Sequence, residues 1–531
     1  MSKSFFLTIS LLLITFAIYS QKKQLDHSVY DGWKSLSDIT ISNDGKIVSS
    51  LISPQEGDTA LFIKNSVNKI ALTFDRVRSY KLSTDGRWTV GLLKAPFADR
   101  RQARIDKKTK EEMPEDSLLI IDNLTFNTEK IPGVRSYKTA QDMIVNVAYT
   151  VALPKDTTNK KDAREKEVLI LRNLLTQKED TFRNAKEYVF NRFDTSFAVS
   201  IQPENKDTTD FARVELVEIS KNIKKIISGE DVEYKSLTFD EAGEQIVYIA
   251  TGDTSKTEQK IYDLRYYKSG LDSALVFADK SITGMPEHWI FNEYASPRFS
   301  KDGSRILIGA APRKEPKDTT IVDFEMAELD IWHWKDPIIQ PQQLAEKRRR
   351  ERETFTGIIY TDNLNNFIPL ADELRPYASV SDEGNGRYVL LTSNLPYLIE
   401  SQWDLSPKYD VWVMDLTDNS LHEVAKALNG YTTLSPKGNY IYWWDEENRN
   451  WFAYNNSNKS LVNMTKDIPV NFWDEENDVP RPPRSYGIAA WGENDEYILV
   501  NDMFDIWKID PDGVKKAVNI TQNSGRNDSI T

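Results

Sequence analysis

Apolar residues in this chain recur in short runs that are interrupted by tight polar turns. Residues 41–53, "ISNDGKIVSSLIS", carry an Asn-Asp-Gly triplet between two such runs. Glycine adopts positive φ without a Cβ clash, and Asp and Asn tolerate it better than most residues, so the segment predicts a β-hairpin. The pattern returns in "LSTDGRWTVGLL" (82–93), "PRFSKDGSRILIGA" (297–310) and "LSPKGNYIYWWD" (434–445).

Turns of this kind punctuate the whole chain. A glycine stands between two apolar half-strands at Gly45, Gly86, Gly243, Gly303, Gly386 and Gly438. Related segments without the glycine occur at 190–201, "FNRFDTSFAVSI", and at 491–500, "WGENDEYILV". Each of these segments predicts a hairpin made of the first two strands of a repeating unit.

A second element follows many of these hairpins: a polar loop with Asp before Thr or Ser, and then another apolar strand. It occurs at Asp58-Thr59, Asp116-Ser117, Asp156-Thr157, Asp207-Thr208, Asp253-Thr254 and Asp318-Thr319. One carboxylate per unit at separated positions does not make a metal cage. We therefore interpret these residues as turn formers whose side chains bond their own backbone.

A third strand, a tight turn and a fourth strand complete the unit, as in "LLIIDNLTFNTEKI" (118–131) and "DVWVMDLTDNSLHEVA" (410–425). Four short antiparallel strands recurring every ~45–60 residues, eight or nine times, are typical of a β-propeller. The predicted fold class is all-β, a β-propeller of about eight four-stranded blades (seven to nine). Residues 41–53 form the inner hairpin of the first blade, and the charged inserts 94–116 and 345–376 predict loops or short helices.

Composition and charge exclude or disfavour several classes of protein and several kinds of site. The 531 residues are 40% hydrophobic and carry a net charge of −13, which excludes a disordered chain and disfavours nucleic acid as a partner. The basic run "EKRRRERE" (346–353) is interrupted by glutamates and indicates a solvated helix face. Because the chain has no cysteine, disulfides, thiol catalysis and Cys-ligated metals are excluded.

The N-terminus, "MSKSFFLTISLLLITFAIYSQKK", has the pattern of a secretory signal peptide. Lys3 is followed by an apolar run to about Tyr19 and by the small residue Ser20. The run is too short and too often interrupted to favour crossing a bilayer core of ~30 Å. We expect residues 1–20 to be removed near Gln21, the mature protein (21–531) to be periplasmic or secreted, and no stable membrane insertion.

Candidate chemistry is sparse. No Gly-x-Ser-x-Gly nucleophile motif occurs, and the four histidines are His27, His288, His333 and His422. His288 and His333 lie among tryptophans, where a packed or surface role is favoured over a catalytic one. The acidic pairs Glu446-Glu447 and Glu475-Glu476 could bind a cation or a sugar, but neighbouring strand residues point to opposite faces, which favours solvated loops. We assign no catalytic, cofactor-binding or metal-binding residue and expect no cofactor.

Several segments resemble the N-terminal propeller of large secreted serine peptidases of the prolyl oligopeptidase family from Bacteroidetes-type bacteria. They are "LDHSVYDGWKSL" (25–36), residues 41–58, 97–120 and 316–343, and above all "DEENDVPRPPRSYGIAAWGENDEYILVNDMFDIWKIDPDG" (474–513). The resemblance spans essentially the whole mature chain. It implies that an α/β-hydrolase domain with a Ser-Asp-His triad follows the propeller, whereas this sequence stops at 531, about where that domain would begin.

The resemblance implies a function for the propeller itself. In that family the propeller caps the active site and filters peptide substrates by size, and in the dipeptidyl-peptidase branch acidic residues hold the substrate amine. We expect a substrate-gating propeller that is inactive alone, a fragment or truncated product whose partners are peptides and a hydrolase domain. No motif matches the amine clamp, so substrate-binding residues stay unassigned.

Two other functions are open. The first is a stand-alone periplasmic binding or scaffold propeller that docks peptides or envelope partners on one face. The second is a propeller glycosidase or lyase with two carboxylates at the channel mouth, for which no pair is selected by spacing.

Overall fold

The computed structural model describes most of the chain, and the following account is confined to those residues. They are 26–109, 112–152, 167–203, 210–254, 259–279, 281–314, 322, 325, 329, 331–404 and 406–530. The predicted signal peptide lies outside them. The chain divides into two units, Met1–Arg183 and Asn184–Thr531.

Three consecutive four-stranded antiparallel sheets make up the first unit, and within each sheet the strands are paired in chain order. Sheet 1 contains β1 (Lys34–Ile41), β2 (Ile47–Pro54), β3 (Ala60–Asn65) and β4 (Ala71–Asp75). Sheet 2 contains β5 (Val77–Leu82), β6 (Trp88–Leu93), β7 (Ser117–Asp122) and β8 (Asn127–Pro132). Sheet 3 contains β9 (Val134–Thr139), β10 (Asn146–Ala152), β11 (Glu167–Asn173) and β12 (Glu179–Arg183).

The second unit continues the same plan, beginning with sheets 4, 5 and 6. Sheet 4 contains β13 (Ala185–Phe190), β14 (Ser196–Ile201), β15 (Arg213–Glu218) and β16 (Ile223–Ile226). Sheet 5 contains β17 (Glu233–Phe239), β18 (Gln245–Thr251), β19 (Asp263–Lys268) and β20 (Leu275–Ala278). In sheet 6, β21 (Trp289–Ile290) and β22 (Arg298–Phe299) both pair with β23 (Arg305–Pro312), followed by β24 (Phe355–Tyr360) and β25 (Asn363–Pro369).

Sheets 7, 8 and 9 complete the second unit. Sheet 7 contains β26 (Tyr377–Val380), β27 (Tyr388–Ser393), β28 (Lys408–Asp415) and β29 (Ser420–Asn429). Sheet 8 contains β30 (Thr432–Leu434), β31 (Tyr440–Asp445), β32 (Asn450–Asn455) and β33 (Leu461–Asn463). Sheet 9 contains β34 (Ile488–Trp491), β35 (Ile498–Asn501), β36 (Ile506–Ile509) and β37 (Val518–Asn519).

Helices are short in the described part of the chain. The α-helices are α1 (Phe97–Ile105), α2 (Gln340–Glu351) and α3 (Ser524–Asp528). The 3₁₀ turns are His27–Gly32, Ile219–Lys221, Asp382–Gly384, Leu395–Tyr397, Glu400–Gln402 and Glu493–Asp495. Helix α1 confirms the prediction for the insert 94–116. The prediction for 345–376 is wrong in part, because 355–360 and 363–369 are the third and fourth strands of sheet 6, displaced along the chain by the insert before them.

The predicted fold class is confirmed. Within the described ranges the chain forms nine consecutive antiparallel sheets, each with the meandering strand order of a propeller blade, at the upper end of the predicted seven to nine. In such a meander the turns joining strands 1–2 and 3–4 leave one end of the sheet, and the 2–3 and 4–1 connections leave the other. The longer inserts, with α1 and α2, belong to the 2–3 end.

Neighbouring sheets bury their apolar faces against each other. In the first unit, Leu61 and Ile63 of sheet 1 share a fully buried layer with Ile121 of sheet 2. In the second unit, sheets 5 and 6 share a layer that includes Val247 and Ile308. Second strands are the most buried part of these layers: β18, with five apolar residues between Gln245 and Thr251, is buried at every position. Leu, Ile and Val side chains buried in this way contribute about 1.5–3 kcal/mol each.

The predicted hairpin turns share one hydrogen-bond pattern. Ser42 Oγ donates to Asp44 Oδ1 over 2.7 Å and accepts from the Ile47 N–H over 3.0 Å. Asp44 Oδ1 also accepts from the Lys46 N–H, and these three hydrogen bonds close the turn locally. The same contacts recur at two other turns, 83–88 and 300–305.

Glycine occupies a positive-φ position in five of the six predicted turns: Gly45, Gly86, Gly243, Gly303 and Gly438. The sixth predicted hairpin also forms, with Gly386 in the turn between β26 and β27, but the positive φ there belongs to Gly384 (φ 94°). Both glycine-less turns form as predicted, with Asp194 and the pair Asn494–Asp495 at positive φ.

The Asp-Thr/Ser element has a different role from the predicted one where the structure describes its side-chain contacts. Asp58 does not bond its own loop; it accepts hydrogen bonds from the Phe97 N–H (3.0 Å) and from Arg100 Nη2 (2.8 Å) at the start of α1. Asp116 accepts from the Ala95 N–H and pairs with Lys94. These carboxylates hold the insert of sheet 2 in place. Asp156, Asp207 and Asp318 lie outside the described residues.

We predict that two turn glycines differ in their tolerance of alanine. Gly45 and Gly243 have nearly the same φ, but a Cβ on Gly45 meets nothing within 4 Å, whereas a Cβ on Gly243 lies 2.4 Å from Asn191 Nδ2. Gly45→Ala should therefore cost about 1–2 kcal/mol of unfolding free energy from left-handed strain alone. Gly243→Ala should cost clearly more, because buried Asn191 must shift. Urea unfolding of both variants is the measurement, and equal losses would contradict the clash.

A second prediction concerns α1. Asp58→Ala should free this helix, which contains the trypsin sites Arg100, Arg101 and Arg104, because both hydrogen bonds to its first turn are lost. Limited trypsin digestion followed by peptide mapping should show faster cleavage in 97–105. The control is Asp75→Ala, at an exposed position on β4. Unchanged cleavage in the Asp58 variant would show that packing alone holds the helix.

Candidate functional site

An acidic cavity of about 500 Å³ lies at the 2–3 end of sheet 9. The loop joining β35 to β36 supplies one wall with Asp502 and Asp505, and the connection from sheet 8 supplies Asp474, Glu476 and Tyr486. Burial raises the pKa of the Tyr486 phenol above its ordinary value. We take this cavity as the candidate functional site, because four carboxylates converge on one opening.

The β35–β36 loop is shaped by its own aspartates. Asp502 Oδ1 accepts from the N–H groups of Phe504 (2.7 Å) and Asp505 (2.8 Å), which closes a tight turn. Asp502 Oδ2 accepts from Trp507 Nε1 over 2.8 Å. Thr521 Oγ1 donates to Asp505 Oδ1 over 2.7 Å. Both aspartates are thereby held at the cavity wall with 4% or less of their surface exposed.

Arg526 of α3 is the counterion of these buried acids. Its Nη2 lies 3.1 Å from Asp502 Oδ2, and its Nε lies 3.7 Å from Asp505 Oδ2. The guanidinium also lies over the Phe504 ring at 5.0 Å from the centroid. Asp505 Oδ2 still has no hydrogen-bond donor among the described residues. A buried carboxylate needs a compensating charge, and Arg526 supplies it here.

The sequence-predicted acids are only partly brought to this site. Glu476 lines the cavity, while Glu475 accepts from Asn471 Nδ2 on the surface. Glu446 lies elsewhere and accepts from Ser406 Oγ. Sequence reasoning missed the two central acids, although "NDMFDIW" (501–507) places two aspartates in the 2–3 connection of the last unit, where an Asp recurs in other units.

The histidines take no part in the cavity. His288 and His333 are exposed on the surface, and His333 stacks on Trp334. His422 Nε2 lies 3.5 Å from Ser420 Oγ and 3.2 Å from Lys459 Nζ. This is the arrangement of a strand surface with a cation beside the imidazole, unlike a base poised to activate a serine.

The described residues contain neither a metal-binding cluster nor a membrane-spanning helix. They contain no group of three or more His, Asp or Glu side chains arranged to hold a metal ion. In that same part of the chain, no helix is long and apolar enough to span a membrane. The basic run 346–353 lies on exposed helix α2, where Glu346 pairs with Arg349 and Arg350, as predicted for a solvated face.

Comparisons with known proteins concern the fold. No protein-family model and no curated protein sequence matches the chain. Among solved structures it is similar to the β-propeller domain of the Trilobed protease from Pyrococcus furiosus, at 10% identity and a TM-score of 0.32, covering 74% of this chain and 99% of that one. A eukaryotic initiation factor matches at 10% identity and a TM-score of 0.40, covering 80% and 86%.

An acylaminoacyl peptidase from Pyrococcus horikoshii matches at 8% identity and a TM-score of 0.32. The match covers 81% of this chain and 59% of the peptidase. All three similarities are at identities that carry no information about activity.

We predict that Arg526 stabilises the second unit through the buried acids. Arg526→Ala should lower the free energy of unfolding by about 1–3 kcal/mol, because Asp502 and Asp505 lose their counterion. The double variant Arg526→Ala with Asp505→Asn should recover part of that loss. Denaturant unfolding is the measurement, and the control is Arg481→Ala, at an exposed position in the connection between sheets 8 and 9. Equal free energies of unfolding for Arg526→Ala and Arg481→Ala would overturn this role of Arg526.

Proposed function

We propose that this chain is the non-catalytic, substrate-gating propeller of a secreted serine peptidase of the prolyl oligopeptidase family. The observation that carries the proposal is the series of nine consecutive four-stranded sheets coinciding with the segments that resemble that family's N-terminal propeller. In this role the propeller covers the active site of an α/β-hydrolase domain and admits peptides by size. The chain itself contributes no nucleophile, because no Gly-x-Ser-x-Gly motif occurs in its sequence.

The acidic cavity of sheet 9 supports a peptide-handling role. Asp502 and Asp505 have Arg526 as their counterion, and the two further acids of the wall, Asp474 and Glu476, create a negative potential that attracts ammonium and guanidinium groups, the positive groups that peptides carry. The chain as a whole is also acidic, with a net charge of −13. Peptides with basic residues or a free amine are therefore the substrates whose approach this surface favours.

The proposal includes export. The N-terminal residues 1–20 have the composition of a signal peptide, so the mature chain acts in the periplasm or outside the cell. N-terminal sequencing of the protein recovered from the cell envelope or medium should begin near Gln21.

The test of the proposal compares the purified chain with a mixture that also contains the hydrolase domain encoded downstream. The chain alone should neither cleave chromogenic Pro-containing peptides nor react with a fluorophosphonate probe, because a covalent mechanism needs a nucleophile, a base and an oxyanion hole. The mixture should cleave short peptides and spare a denatured whole protein, which the hydrolase domain alone should degrade.

Three outcomes would contradict the proposal. Labelling of this chain by the probe would reveal a catalytic site of its own. Loss of the size restriction in the mixture would remove the gating role. Absence of any downstream Gly-x-Ser-x-Gly reading frame would leave the stand-alone binding propeller as the better account.

A further inference from the structure

A second cavity, of about 430 Å³, lies within the first unit between sheets 2 and 3. It opens at the hairpin end of the sheets. Arg87 and Trp88 of the first turn of sheet 2 line it together with Ile120, Glu129, Leu174 and Gln177. The cavity is distinct from the acidic site of sheet 9. Within the described ranges, hydrogen-bond donors lack an acceptor here, whereas an acceptor lacks a donor at sheet 9.

Two hydrogen-bond donors in this cavity lack an acceptor. Trp88 is 8% exposed, and its indole Nε1 is fully buried with no hydrogen-bond partner among the described residues. The Arg87 guanidinium lies over the Trp88 ring at 5.3 Å from the centroid, and its Nε is also buried without an acceptor. Within the described part of the chain Arg87 forms no ion pair. Leaving buried donors unpaired is unfavourable, because they have lost their hydrogen bonds to water.

Several acceptors in the wall already have donors. Both carboxylate oxygens of Glu129 accept from Arg172 Nη2 over 2.8 Å. Asp122 Oδ1 accepts from the Leu124 N–H over 3.0 Å, and Gln177 Nε2 donates to the Leu174 carbonyl. The wall therefore satisfies its own acids, and what it lacks is an acceptor opposite Arg87 and Trp88.

We propose that this cavity binds a peptide segment that presents a carboxylate next to an aliphatic side chain. The carboxylate accepts from the Arg87 guanidinium and the Trp88 indole, and the aliphatic side chain packs on Ile120, Leu174 and Leu175. A singly charged carboxylate suits the site better than a phosphate, because the carboxylates of Asp122 and Glu129 in the same wall repel a double charge more strongly. The carboxylate comes from a peptide C-terminus or from an Asp or Glu side chain. This inference does not depend on the proposed gating function.

The experiment uses the full chain with 5-fluorotryptophan in place of its 13 tryptophans and follows the ¹⁹F resonance of Trp88, assigned with Trp88→Phe. Three probes are titrated: N-acetyl-Ala-Leu-Leu with a free carboxylate, the same peptide as its amide, and N-acetyl-Leu-Asp-Leu-amide. We expect a saturable shift with a Kd below about 1 mM for at least one carboxylate probe, and binding at least tenfold weaker for the probe that has none.

Variants separate this site from general charge effects. Arg87→Gln should weaken binding at least tenfold, while Arg101→Gln, an equal charge change at an exposed position on α1, should leave it unchanged. The remaining tryptophan resonances report whether each variant is folded. Preference for the free C-terminus or for the Asp probe identifies the source of the carboxylate. The proposal is overturned if neither carboxylate probe shifts Trp88, if the amide of the first probe binds as tightly as the better of the two carboxylate probes, or if Arg87→Gln binds that carboxylate probe normally. None of these outcomes bears on peptidase gating, which the hydrolase mixture tests separately.

Discussion

Mutual burial of the apolar faces of neighbouring sheets is the constraint on which the rest of the structure depends. A four-stranded meander of short strands cannot bury its apolar side chains alone, and it is stable only when neighbouring sheets cover it. This explains why β18 is buried throughout and why layers such as Leu61 against Ile121 recur from sheet to sheet within each unit. The repeats consequently differ in length mainly in the connections at the ends of the sheets.

The ends of the sheets are held by polar groups, and these groups must be satisfied wherever the apolar layers exclude water. The Ser-x-Asp-Gly turns satisfy themselves within six residues. Where the pattern departs from this rule, a distant residue substitutes: in the turn at Ser435, Lys437 stands in the Asp position. Buried Asp495 then accepts from Ser435 Oγ (2.6 Å) and from the Lys437 N–H (3.0 Å). The turn is preserved although its own sequence lacks the acceptor.

The two cavities are places where this balance is incomplete. At sheet 9, Asp505 Oδ2 lacks a hydrogen-bond donor although Arg526 neutralises its charge nearby, while between sheets 2 and 3 the donors of Arg87 and Trp88 lack an acceptor. In an otherwise repetitive fold, ligand binding is expected where buried polar groups lack hydrogen-bond partners within the protein. In our proposals the first cavity attracts positive groups of a peptide and the second binds a carboxylate. The first lies at the loop joining β35 to β36, and the second lies at the hairpin turns of sheets 2 and 3.

The sequence by itself determined the strands, the hairpins and the number of sheets to within the predicted range. Alternating apolar runs and the Ser-x-Asp-Gly turn depend on residues at most six apart. Such short patterns can be recognised directly in the sequence. Only the tertiary structure decided that Asp58 holds α1, that residues 355–369 are strands, and that Arg526 neutralises Asp502 and Asp505. For the candidate site, the sequence singled out Glu476 and missed both aspartates. In each of these cases the partners are many residues apart, from twenty-four to fifty-five along the chain for the hydrogen-bonded pairs and the strand ladder, and burial rather than local pattern selects which acid receives which cation.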